Sequence, residues 1–125
     1  MHLLLVGVSH RTAPVELRER LDFSARGVDR ALTTLAESRA HHEATIVSTC
    51  NRVELYIGCD ETERARAAIQ QFLSDFHGIP ADQLAPHLYA KTGQEAATHL
   101  FRVASGLDSL VMGEPQVLGQ VKDAF

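Results

Sequence analysis

Cysteine is scarce in this 125-residue chain: there are two, Cys50 and Cys59, with no paired Cys motif around either. That argues against a disulfide framework of the kind that staples small secreted domains, and for a reducing compartment, the cytoplasm. Cationic runs are missing as well. Lys and Arg are scattered and the formal net charge is -4 with histidines neutral, so no bulk electrostatic grip on nucleic acid is written into the composition. A nucleic-acid partner would need a local basic patch, or help from protein outside this chain. No apolar stretch is long enough to span a bilayer. The opening Met1-His2-Leu3-Leu4-Leu5-Val6-Gly7 carries no basic leader and reads as a first strand, which argues for no membrane role. There is no G-x-G-x-x-G or phosphate-loop motif, and His2, His41, His42, His77 and His87 show no metal spacing with either cysteine. A nucleotide-cofactor cradle of a familiar kind and a zinc site are therefore not expected within these residues. Neither an internal repeat nor a low-complexity stretch is present.

With 45% hydrophobic residues, the chain has enough apolar material for one core. Leu3 to Val8 is a short apolar run suited to a central strand. Pro14 sits in the first turn of a short helix through Leu21. Ser24 is a candidate cap for a second helix with Val28, Ala31, Leu32 and Leu35 on its inward stripe. Ala44 to Thr49 and Val53 to Ile57 read as two strands of a hairpin joined through Cys50, Asn51 and Arg52. Asp60 is placed to cap the next helix, whose inward stripe is Ala65, Ala68, Ile69, Phe72, Leu73 and Phe76, and which Gly78 and Pro80 end. A weaker fourth strand spans His87 to Ala90. Strand, helix, strand, strand, helix, strand is the order of a ferredoxin-like split β-α-β unit, so the expected class is α+β, with residues 1–91 as that core. From 92 to 125 the pattern is helical: Gln94 to Ser105, a turn over Gly106 to Gln116, then a stripe of Val117, Leu118, Val121, Ala124 and Phe125 that continues to the last residue without a stop signal, as in a helix cut short.

Cys50 lies in Ser48-Thr49-Cys50-Asn51-Arg52-Val53-Glu54, at a hairpin tip where a large substrate can reach a thiol. Arg52 and the hydroxyls of Ser48 and Thr49 would favour thiolate, the nucleophilic form. From these residues alone the competing reading stands: a free cysteine that is simply a small buried hydrophobe. Cys59, beside Asp60 and Glu61, is the poorer nucleophile, because neighbouring negative charge raises a thiol's pKa. His99 falls toward the packed side of the Gln94 to Ser105 helix. It is either a general acid or base near Cys50 or a core histidine with a satisfied hydrogen bond. The Gly106 to Gln116 stretch brings Asp108, Ser109, Glu114 and Gln116 close to a helix start, as ligand contacts or as plain turn and cap residues. His10 and Arg11 follow the first strand in a loop that either binds ligand or is merely solvated.

Three long segments then point to a family. Gly7-Val8-Ser9-His10-Arg11-Thr12-Ala13-Pro14-Val15-Glu16-Leu17-Arg18-Glu19, Ser48-Thr49-Cys50-Asn51-Arg52-Val53-Glu54, and the run from His99 through Ser109 and on to Lys122 closely resemble glutamyl-tRNA reductase, in order and over essentially the whole chain. The resemblance implies an NADPH-dependent reduction of glutamyl-tRNA to glutamate-1-semialdehyde, at the start of the five-carbon route to tetrapyrroles. In it the thiol matching Cys50 attacks the aminoacyl ester to form a thioester. By the same resemblance, His99 is a second catalytic residue, and Thr49, Arg52, Ser109, Glu114 and Gln116 bind the glutamyl moiety. Arg52 is the natural partner of the side-chain carboxylate and Glu114 that of the α-amino group. The resemblance also implies a connecting helix, an NADPH-binding Rossmann domain and a helical dimerisation domain beyond these residues. A homodimeric full-length enzyme is expected, together with association with the next enzyme of the pathway, and much of the grip on tRNA should come from those other domains. Two alternatives compete: a non-catalytic module binding an acidic ligand or the tRNA end, and a thiol redox sensor, for which Cys59 is a distant resolving partner.

Overall fold

The alternation of apolar residues along β1 (His2–Ser9) puts Leu4, Val6 and Val8 on one side and Leu3 and Leu5 on the other, so this strand must be covered on both faces. The computed structural model covers residues 1–23, 27–37, 41–49 and 51–110, the last five as backbone only. In it β1 lies inside a four-stranded sheet of order β2-β3-β1-β4, with β2 Glu43–Ser48, β3 Arg52–Cys59 and β4 Tyr89–Thr92. Every neighbouring pair is antiparallel. This is the α+β arrangement expected from the order of elements.

One face carries the larger core. There α1 (Val15–Leu21), α2 (Val28–Ala36) and α3 (Thr62–His77) bring Leu17, Leu21, Ala31, Leu35, Ile69 and Leu73 onto Val53, Leu55, Ile57 and Cys59 of β3. On the other face α5 (Gly93–Leu110) follows β4 directly and lies back across the sheet, burying Ala96, Leu100 and Val103 against Leu5, Val47 and Tyr56. The second face has far fewer apolar residues, and that leaves room on it for polar ones.

Several local expectations need correction. The N-cap of α2 is Gly27, while Ser24 lies outside the described residues. Glu61, and not Asp60, occupies the N-cap of α3, and its side chain makes no capping bond. Asp60 is engaged instead with His42 at 2.8 Å. The fourth strand is shifted to Tyr89–Thr92, because His87 belongs to a 3-10 turn over Ala85–His87 that follows a short helix, α4 (Ala81–Leu84), unforeseen in the sequence. Arg52 already belongs to β3, which shortens the hairpin connection. The backbone stays helical through Gly106 to Leu110, so the predicted turn does not begin at Gly106; one glycine costs a helix only about 1 kcal/mol. Residues 111–125, with the rest of that turn and the final apolar stripe, lie outside the described residues. Gly78 does end α3, in the left-handed conformation (φ 66°) that glycine adopts without a Cβ penalty.

Gly7 is required for a different reason. It pairs with Glu54 on one side and Tyr89 on the other, and a Cβ built on it would lie 2.7 Å from the Val53 carbonyl oxygen and 2.9 Å from Glu54 Cγ. A backbone oxygen has little freedom to retreat. Gly7→Ala is therefore expected to cost about 2 kcal/mol, read as a Tm lower by roughly 8 °C in a thermal melt; an unchanged Tm would show that the sheet has slack at this point.

Candidate active site

Alternation along β3 places Arg52, Glu54 and Tyr56 on the α5 side, while Val53, Leu55 and Ile57 enter the larger core. Glu54 is fully buried. A carboxylate removed from water is costly unless donors surround it, and here four converge. Tyr56 donates its phenolic hydrogen to Oε1 at 2.7 Å, and Tyr89 donates to Oε2. His99 Nε2 lies 2.6 Å and the Arg52 guanidinium 3.3 Å from Oε2. Tyr89 reaches Glu54 from two strands away, across Gly7, where no side chain intervenes.

These contacts decide the protonation state. Burial alone pushes the Glu54 carboxyl upward, but the hydrogen bonds from His99, Tyr89 and Tyr56 outweigh it and hold the group below its ordinary value, as the anion. Burial first, and then this anion, pushes both phenols up. An ionised Glu54 also sets the tautomer of His99. Nε2 cannot both donate to Glu54 and accept from Arg52, which lies 3.4 Å away, and the 2.6 Å contact prevails. Nε2 carries the hydrogen, so Nδ1 is the nitrogen left for other chemistry. Carboxylate, imidazole and guanidinium form one unit, with His99 and Arg52 partly exposed, at 19% and 22%.

The turn that leads into this unit is closed by its own backbone. Thr49 N–H donates to the Arg52 carbonyl at 2.8 Å, and Thr49 Oγ1 accepts the N–H groups of Asn51 and Arg52 at 3.1 and 3.2 Å. His10 N–H reaches the Asn51 carbonyl at 2.8 Å, tying the loop after β1 to the same turn. Ser48 is not arranged to favour a thiolate as the sequence implied: its hydroxyl donates to Asp22 at 3.0 Å and accepts from Phe23 N–H. Cys50 itself lies outside the described residues, as do Glu114 and Gln116, and of Ser109 the backbone alone is described. Cys59 is wholly buried, and burial first, then Asp60, pushes its thiol up. Among the described residues no group of three or more His, Cys, Asp or Glu is placed to hold a metal.

Sequence reasoning singled out His99 and Arg52 but missed Glu54, Tyr56 and Tyr89. The signal was available: a period of two in β3 puts Arg52, Glu54 and Tyr56 on one face, and a carboxylate between apolar neighbours in mid-strand demands partners.

Because its folded pKa is depressed, Glu54 contributes stability that is present above the ordinary glutamate value, about 4.3, and is lost as pH falls through the lower folded value. Glu54→Gln keeps the shape and removes the charge, leaving donors facing a donor. The expected loss is about 3 kcal/mol at neutral pH, measured by urea unfolding, and the gap to the unaltered protein should narrow as pH is lowered below about 4. A gap independent of pH would mean that Glu54 is not ionised.

A family model described as the N-terminal domain of glutamyl-tRNA(Glu) reductase matches residues 6–125. Curated relatives named glutamyl-tRNA reductase include one from Brevibacillus brevis, 48% identical over all of this chain, and one from Syntrophotalea carbinolica, 50% identical over all of it. The chain spans 28% of the length of each. The solved glutamyl-tRNA reductase from Methanopyrus kandleri superimposes with a TM-score of 0.63 at 35% identity, covering 98% of this chain and 27% of that one. On the matched family model and these relatives together, the chain belongs to the family of glutamyl-tRNA reductase N-terminal domains.

Proposed function

We propose that this chain is the acyl-accepting part of a glutamyl-tRNA reductase, with Cys50 as the nucleophile. The observation that carries the reading is the closed turn from Thr49 to Arg52, which brackets Cys50 in sequence and runs straight into the Arg52–Glu54–His99 unit, in a chain of this family. The thiolate attacks the aminoacyl ester carbonyl; a sulfur–carbon bond forms, the ester carbon–oxygen bond breaks, and the ribose oxygen leaves with a proton. His99, held by Glu54 with Nδ1 uncommitted to it, is suited to manage that proton. A thioester carbonyl is the better hydride acceptor, so one hard reduction is divided into two easier steps.

Arg52 holds the γ-carboxylate of the glutamyl group through guanidinium N–H groups other than the one on Glu54. Thr49, Ser109, Glu114 and Gln116 orient the remainder, with Glu114 facing the α-amino group. Residues 92–125 complete the glutamate site begun by residues 1–91. NADPH, when bound, supplies the hydride. The residues described here do not fit it: neighbouring strands are all antiparallel, and no glycine-rich turn leads from a strand into a helix. The same family reading supports a full-length homodimer in the cytoplasm that hands its aldehyde to the next enzyme of tetrapyrrole synthesis. Among the described residues no helix is long and apolar enough to cross a membrane.

Incubation with glutamyl-tRNA followed by intact-mass measurement should reveal one glutamyl adduct, or glutamate released by its hydrolysis. Cys50→Ser should abolish both, and Cys59→Ser should leave both intact. An adduct that survives Cys50→Ser would place the nucleophile elsewhere and overturn the assignment; no acyl transfer by the unaltered chain would overturn it in favour of a non-catalytic binding module.

A further inference from the structure

Beside the Glu54 unit, between β4 and α5, lies a cleft of about 440 Å³ lined by Lys91, Gln94, Glu95, Thr98, His99 and Arg102. Gln94, Thr98 and Arg102 recur every four residues and form one stripe along α5. Two cations meet here in a chain with 16 acidic and 12 basic residues. Among the described residues the ion pairs join His42 with Asp60 and Glu54 with Arg52 and His99; Lys91 and Arg102 take part in none. Glu95 offsets at most one of them, so the lining is net positive. Two other cavities are lined by more acid than base: the groove of about 610 Å³ between α2 and α3, with Arg30 against Glu37 and Asp75, and the hollow containing Asp60, Glu61 and Glu63.

We infer that this cleft takes phosphates of the single-stranded 3′ end of the acylated tRNA, with Lys91 and Arg102 as their counter-charges and Thr98 and Gln94 as hydrogen-bonding neighbours. The inference rests on the reading of Cys50 as acyl acceptor. His99 belongs both to the Glu54 unit and to the wall of the cleft. The ester oxygen that leaves beside that unit is a ribose oxygen, so the terminal nucleotides must occupy space adjoining it. A net-negative chain that receives RNA needs a local basic patch, and here is one continuous with the site.

The test separates the cleft from the thiol. Binding of uncharged tRNA is measured across a salt titration for the unaltered chain and for Lys91→Ala/Arg102→Ala, with thermal melts to confirm that both are folded. The double variant should bind about tenfold more weakly near 0.15 M salt, with a log–log salt slope shallower by about 1.4 for two lost single-strand contacts. Its acylation by the glutamyl ester of adenosine, which carries no phosphate, should be unchanged. An unaltered salt slope, or an equal loss with both substrates, overturns the inference. If the slope falls as expected while the adenosine ester acylates neither protein, the cleft stands and the assignment of Cys50 falls.

Discussion

The arrangement turns on one buried carboxylate. Glu54 sits in an inner strand of a hydrophobic sheet, where an isolated charge would cost several kcal/mol, and it persists as an anion because Tyr56, Tyr89, His99 and Arg52 all present hydrogens to it. Each of those donors comes with its own structural consequence. Tyr89 binds the short edge strand to the centre of the sheet, His99 docks α5, and Arg52 is held at the mouth of the hairpin. Gly7 makes the convergence possible by leaving its row open.

This unit is also where fold and chemistry meet. A thiol nucleophile needs a rigid backbone, a nearby proton carrier in a defined tautomer and a cation for an acidic substrate. On the proposed reading of Cys50, the Thr49–Arg52 turn, closed by backbone bonds and the threonine hydroxyl, answers the first need. On the same reading Glu54, bonded to His99 and Arg52 at once, answers the other two. Coupling both residues to a single anion means that their positions are not independent.

Much of this was legible in the residues. The order of elements, the amphipathic stripes of α2 and α3, and the glycine stop at Gly78 came directly from periodicity and turn chemistry. Sequence did not reveal which side chains meet across the sheet: the Glu54–Tyr89 bond spans 35 positions and depends on the register of β4 against β1. Caps were misplaced where a better partner existed, as with Asp60 and His42, and Ser48 was drawn off by Asp22, remote in sequence. The helix continues through Gly106 because a single glycine is a weak breaker, costing only about 1 kcal/mol.

The unequal cover on the two faces of the sheet has a mechanical consequence. The layer formed by α1, α2 and α3 is locked by a broad interdigitated core, whereas α5 rests on a narrow strip of Ala96, Leu100 and Val103. Apolar strips of this kind tolerate sliding, because a helix displaced along them finds similar neighbours. A charged bond does not: a one-residue rotation, about 100° around the axis, would carry His99 away from Glu54. The histidine thus acts as a detent, fixing the phase of α5 on the sheet.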